Sequence, residues 1–169
     1  MQEISKNLQE ILSVLEKHKI EFIVVGGVGT IIQGADIVTK DVDVCPKNTK
    51  ENFQRLAYAL IELQAKLRGA QDVRVPIVGE LLQNMQIGTW VTAFGDLDIL
   101  HSIPSGVDGK QYNYDKLFQS SRKGKAGRLV VRVASLKDIV ASKRFAGRAK
   151  DLAVLPELEE LLKQQSDES

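Results

Sequence analysis

Three aspartates in this chain are placed to do metal-assisted chemistry. Asp41 and Asp43 stand one residue apart in Asp41-Val42-Asp43-Val44, and Asp98 lies inside the apolar run Leu97-Asp98-Ile99-Leu100. Side chains alternate across a strand, so Asp41 and Asp43 point to one side while Val42 and Val44 point to the other. Two carboxylates held close together raise each other's pKa unless a cation lies between them. An oxygen-only ligand set suits Mg²⁺ or Mn²⁺, whose remaining positions are filled by water and substrate phosphates. An acid inside an apolar strand is costly unless paired or bound to a cation. Asp98 therefore completes a set of the kind that two-metal phosphoryl transfer draws from more than one strand. Asp96, beside Gly95, reads instead as a turn former.

A second group of residues could hold phosphate. The apolar run Phe22-Ile23-Val24-Val25 ends in Gly26-Gly27. A glycine pair at a strand-to-helix turn lets the main chain approach a phosphate without Cβ clashes, and the helix that follows adds the positive end of its dipole. A plain tight turn would also be satisfied by two glycines. Neither common nucleotide motif is present: Ile32 occupies the last glycine position of G-x-G-x-x-G, and Ala35-Asp36 replaces the Lys and hydroxyl of a P-loop. On the helix opened by Ser135, Leu136, Ile139 and Val140 define an inward stripe that Lys143 continues. A cation there seeks an anion, for which a nucleotide phosphate is one candidate, or else snorkels to solvent. Arg148 and Lys150 follow within reach of phosphate, and Asp151 reads as a cap of the last helix.

The elements that must carry these residues alternate between strands and helices. Ile4, Leu8, Ile11, Leu12 and Leu15 recur at helical spacing and predict an amphipathic helix over 3–18. Strands follow at 22–25 and 42–45, with a short helix over 28–33 between them and a long helix after 45, capped by Asn48 with Glu51 as its box partner. Residues 73–75 read as a short strand and 79–85 as a short helix. Trp90–Phe94 and Leu97–Leu100 read as a hairpin around Gly95-Asp96, with Trp90, Thr92 and Phe94 on one core-facing side. Helices are predicted over 114–120, from Ser135 with Asp138 as capping partner, and over 151–164. Residues 122–127 read as a basic loop and 129–133 as a strand. The pattern predicts an α+β domain with a mixed sheet flanked by helices and further helices at the C-terminus. Residues 1–165 read as one domain, with a core over 20–134, a helical part over 135–165 and a frayed tail at 166–169.

Length supports a sizeable core, and the net charge of +1 names no partner by itself. Its distribution is uneven: residues 122–150 hold ten Lys or Arg against the single acid Asp138, and the tail is acidic. Such a zone favours an anionic ligand such as nucleotide or RNA, or forms a solvated face. The single cysteine, Cys45, excludes an internal disulfide, fits a reducing compartment and reads as a small buried hydrophobe. No signal sequence or membrane span is apparent, which points to the cytoplasm. His18 reads as a surface group at a helix C-terminus. His101 falls on the face opposite Asp98 and takes no catalytic role.

Four blocks in order, Val24-Val25-Gly26-Gly27, Thr39-Lys40-Asp41-Val42-Asp43, Phe94 to Leu100, and Lys143 to Leu152, resemble those of the nucleotidyltransferase superfamily of the DNA polymerase β type. The likeness is greatest to its small bacterial members in abortive-infection and toxin–antitoxin systems. The resemblance spans residues 22–155. It implies a nucleoside triphosphate substrate, Mg²⁺, and transfer of a nucleoside monophosphate to an acceptor hydroxyl on RNA, protein or a small molecule. By the same resemblance Asp41, Asp43 and Asp98 would hold metal, with Asp98 helping to deprotonate the acceptor. Gly26 and Gly27 would cradle the triphosphate, and Lys143 would contact it, with Arg148 and Lys150 nearby. Many members carry Ser at the second glycine position, so Gly27 leaves this chain to its backbone donors and basic side chains. A non-catalytic nucleotide- or RNA-binding module on the same fold is the alternative. Members of toxin-like systems also imply an antitoxin-like partner.

Overall fold

Local rules place the first elements. The computed structural model describes residues 3–167. Helix α1 (Lys6–Lys17) starts where the Ser5 side chain accepts the Leu8 N–H, and it buries Leu8, Ile11, Leu12, Val14 and Leu15. Strand β1 (Phe22–Val25) is buried along its whole length and runs directly into α2 (Gly26–Ile32), earlier than its apolar spacing indicates. Strand β2 (Asp41–Pro46) alternates half-buried aspartates with buried valines. Helix α3 (Lys50–Glu62) is capped by Thr49, which accepts the Asn52 N–H at 3.2 Å, and not by Asn48. Asn52 is instead fully engaged with the backbone of Glu21 and Lys47.

The middle of the chain departs most from its sequence pattern. Residues 73–75 form no strand, whereas Lys66–Leu67 forms β3. After α4 (Gly79–Asn84), β4 (Ile87–Thr92) and β5 (Gly95–Leu100) pair antiparallel with Thr92 opposite Gly95. The turn is therefore Ala93-Phe94, and Asp96 belongs to the strand. Thr92 Oγ1 closes that turn, accepting from the Phe94 N–H and donating to the Gly95 carbonyl. A small hairpin of β6 (Ser102–Pro104) and β7 (Gln111–Asn113) precedes α5 (Tyr114–Ser120). The basic segment is strand β8 (Arg122–Ala126), paired antiparallel with β9 (Leu129–Val133). Helix α6 (Leu136–Ala146) is capped by Ser135 on Asp138 and ended by Gly147 in the left-handed conformation. Helix α7 (Ala149–Asp167) runs past the predicted end at 164, and residues 168–169 lie outside the described residues.

The main sheet has the order β3-β4-β5-β2-β1-β9-β8. Strand β2 is parallel to β5 and β1 is parallel to β9, and the other pairs are antiparallel. This is the mixed sheet with flanking and C-terminal helices that the sequence predicts. One face packs Val42, Val44, Leu97, Ile99 and Trp90 against α1 and α3, with Leu12, Leu15, Phe53, Leu56 and Leu60 fully buried. Each such side chain contributes about 1.5–3 kcal/mol by leaving water. The opposite face packs Ile23, Val25, Cys45 and Ala134 against Leu117 of α5 and Ile139 of α6. Leu136 and Val140 join α6 to Leu155 and Leu158 of α7. Among the described residues no helix is long and apolar enough to cross a membrane.

Candidate active site

Parallel pairing of β2 with β5 brings the aspartates together. Asp41 stands opposite Asp96 and Asp43 opposite Asp98. Because Val42, Val44, Leu97 and Ile99 all turn into the α1–α3 core, the acidic residues of both strands turn to the other face. A ligand oxygen from each of Asp41, Asp43 and Asp98 lies within 4.8 Å of the others. Burial pushes the Asp43 carboxyl up to about 8, and the charges of Asp98 and Asp41 add to this, while Lys143 opposes it. Asp98 is also raised, mainly by burial, against the opposing charge of Arg68. The donor set thus fits a hard divalent cation: three oxygen ligands whose mutual repulsion a bound positive charge would relieve.

The glycine turn is built against this cluster. Val25 pairs with Asp43, so Gly26 lies beside the Asp43 side chain, where a Cβ would strike the carboxylate. Its φ of +64° is one that favours glycine. A Cβ on Gly27 would meet Thr39 Oγ1 at 3.0 Å. Thr39 thereby puts a hydroxyl next to the position where this chain lacks a serine, and that hydroxyl lies 3.4 Å from Asp41 Oδ1.

The basic residues arrive from α6 (Lys143), the link that follows it (Arg148) and the first turn of α7 (Lys150). Lys143 is largely buried and its Nζ lies 3.7 Å from Asp151 Oδ1. Arg148 donates to both oxygens of Asp151, at 2.7 and 3.3 Å. Asp151 is no cap: α7 starts two residues before it, and its side chain is buried between the two cations. Burial alone would raise its pKa, but the Arg148 hydrogen bond and charge, with Lys143, hold it below the ordinary carboxylate value. Gly26, Gly27, Thr39, Asp41, Asp43, Asp98, Lys143, Arg148 and Lys150 all line one open cavity of about 740 Å³. Every residue predicted for the site is thus brought to the same place.

Sequence reasoning missed Arg68, which follows β3 at the sheet edge. Its Nη2 lies 2.9 Å from Asp98 Oδ1 and 3.1 Å from Asp96 Oδ2, so Asp96 serves as a strand residue that shares this guanidinium. Ile87, Leu100 and Ile103 form an apolar wall of the same cavity, beside Thr89. Cys45 is a buried core thiol whose pKa burial pushes up to about 12. His101 stacks on Phe53 and contacts the Leu82 carbonyl, outside the cavity. His18 caps α1 and meets Glu62 at the surface.

No protein-family model and no curated protein matches the chain. Solved structures do. The chain is similar to the lincosamide antibiotic adenylyltransferase LnuA, seen bound to lincomycin, with a TM-score of 0.63 at 15% identity over 95% of this chain and 99% of that one. It is similar to ANT(2″)-Ia in complex with adenylyl-2″-tobramycin, at TM-score 0.58 and 13% identity over 95% and 96% of the two chains. It also matches a Thermotoga maritima protein assigned as a nucleotidyltransferase, at TM-score 0.56 and 17% identity over 90% of each chain. The chain thus has the fold that these nucleotidyltransferases share.

Proposed function

We propose that this chain, acting as one domain over residues 1–165, is a Mg²⁺-dependent nucleotidyltransferase. It would move a nucleoside monophosphate from a nucleoside triphosphate to an acceptor hydroxyl, with release of pyrophosphate. The observation that carries the reading is the convergence, in one cavity, of the Asp41–Asp43–Asp98 cluster, the Gly26-Gly27 turn and the Lys143–Arg148 pair. A bound divalent ion would supply charge stabilisation to the attacking and leaving oxygens.

The protein's own residues divide the remaining work. Asp41, Asp43 and Asp98 would hold the ion. Asp98, with its raised pKa, would accept the proton of the acceptor hydroxyl. The backbone at Gly26 and Gly27 would face the triphosphate, and Lys143, Arg148 and Lys150 would meet its negative oxygens. Thr39 would contribute a hydroxyl at the glycine turn. The apolar wall of Ile87, Leu100 and Ile103 would bind the acceptor, which we read as a small molecule because LnuA and ANT(2″)-Ia are seen with small-molecule acceptors or products.

The test is incubation of the protein with α-labelled nucleoside triphosphates, Mg²⁺ and separate pools of small hydroxyl compounds, RNA and protein, alongside Asp43→Asn. Label moving to the small-molecule pool only with Asp43 intact supports the reading. Label in the RNA or protein pool reassigns the acceptor. Transfer retained by a folded Asp43→Asn protein removes the metal site.

A further inference from the structure

We propose that the surface made by α5 and the β8–β9 hairpin is a docking strip for single-stranded nucleic acid, distinct from the cavity described above. Tyr114 and Phe118 of α5 lie on it and Tyr112 of β7 borders it, the two tyrosines half-buried against the core at Ile103 and Leu117. Tyr114 and Phe118 lie 5.7 Å apart between centroids, and Tyr112 lines a second groove, of about 610 Å³, together with Tyr114. Cations are interleaved with the rings. Lys116 Nζ stands 5.3 Å from the centre of Tyr112, and the Arg132 guanidinium lies 4.4 Å from the centre of Phe118. Lys123 is the cross-strand partner of Arg132, so the two share that face, and Lys125 follows two residues on.

Three observations favour this partner over a plain solvated face. Among the described residues, Lys116, Lys123 and Lys125 form no ion pair with a carboxylate, which leaves their charge free for phosphate. Phe118 remains exposed despite being aromatic. The groove at the end of the strip adds the amide N–H groups of Asn48, Gln111 and Asn113, which can donate to base edges, while their oxygens already accept from Gln83, Ser102 and the Lys116 N–H. Asp115 in the groove and Glu21 near Tyr114 are acids beside the strip, and they leave its cations in the majority. Aromatic faces for bases, interleaved with cations for phosphates, are the requirements of single-strand recognition.

The test is fluorescence anisotropy with a labelled single-stranded RNA of about 12 nucleotides, a length within the usual site size. Binding should weaken with salt at a logarithmic slope of about −2, as for roughly three phosphate contacts. The exposed-site variant Lys123→Glu/Lys125→Glu should weaken binding at least about tenfold and flatten that slope. Phe118→Ala should weaken it by about tenfold through lost stacking, and a duplex of equal length should compete poorly. Unchanged melting of each variant confirms that it is folded. The proposal is overturned by absence of RNA binding at low salt, or by binding that neither variant alters. Equal binding of duplex with no effect of Phe118→Ala also overturns it, since that is simple polyanion adhesion, as does binding of anionic lipid vesicles in place of the RNA.

Discussion

Replacing Gly26 with Ala separates what this glycine does for the backbone from what it does for the site. At φ +64° an alanine costs about 1–2 kcal/mol of backbone strain. For a chain of this length that lowers the melting temperature by roughly 2–8 °C. The new Cβ would also strike the Asp43 carboxylate, which must move. Displacing one ligand of the cluster by an ångström is enough to cost about 100-fold in rate. Gly34→Ala is the control. Gly34 has φ +108°, and a Cβ there meets only Leu161 Cδ1 at an ordinary 3.6 Å. Both variants should melt lower, by differential scanning fluorimetry. Only Gly26→Ala should lose the stabilisation by Mg²⁺ and the transfer activity. A Gly26→Ala protein that keeps both would show that Asp43 does not need its present position.

The remaining predictions concern charge. Asp43 is raised from 3.8 to about 8, so the metal-free folded protein keeps a proton that the unfolded chain releases. This group therefore costs stability progressively as pH rises through that window, and Asp43→Asn should raise the metal-free melting temperature more at pH 8 than at pH 5. For the same reason Mg²⁺ affinity, measured by titration calorimetry, should increase with pH until about 8, since the ion binds the deprotonated carboxylate. Arg68→Gln removes a charge that lowers the Asp98 pKa, so the acidic limb of the activity profile should shift to higher pH. Asp151→Asn strips a buried partner from Lys143 and Arg148, costing about 1–3 kcal/mol of stability, and should raise the KM for nucleotide more than it lowers kcat.

How much of this was legible in the sequence follows the range over which each feature is encoded. Asp41 and Asp43 were readable from strand alternation, and Asp98 from being an acid among Leu97, Ile99 and Leu100. Lys143 was readable as a charge continuing an apolar stripe. Arg68 was not, because its partner Asp98 is 30 residues away and β3 is only two residues long, too short to show a period. Strand β8 looked like a loop because Arg122, Lys123 and Lys125 are all exposed on an edge strand, where pairing with β9 rather than burial fixes the backbone. Asp96 looked like a turn residue because Gly95-Asp96 is a strong local turn pattern. The pairing of Thr92 with Gly95 moves the turn two residues earlier, and the parallel register with β2 places Asp96 opposite Asp41. Asp151 looks like a cap; its partner Arg148 is only three residues away, but Lys143 reaches it through the packing of α6 on α7.

The most direct measurement is the anomalous scattering of Mn²⁺ in crystals soaked with manganese and a non-hydrolysable nucleoside triphosphate analogue. The account predicts a manganese peak bounded by Asp41, Asp43 and Asp98, with the triphosphate lying between that peak, the Gly26-Gly27 turn and Lys143. A nucleotide bound elsewhere, or manganese absent from the three carboxylates while the nucleotide is present, would contradict it.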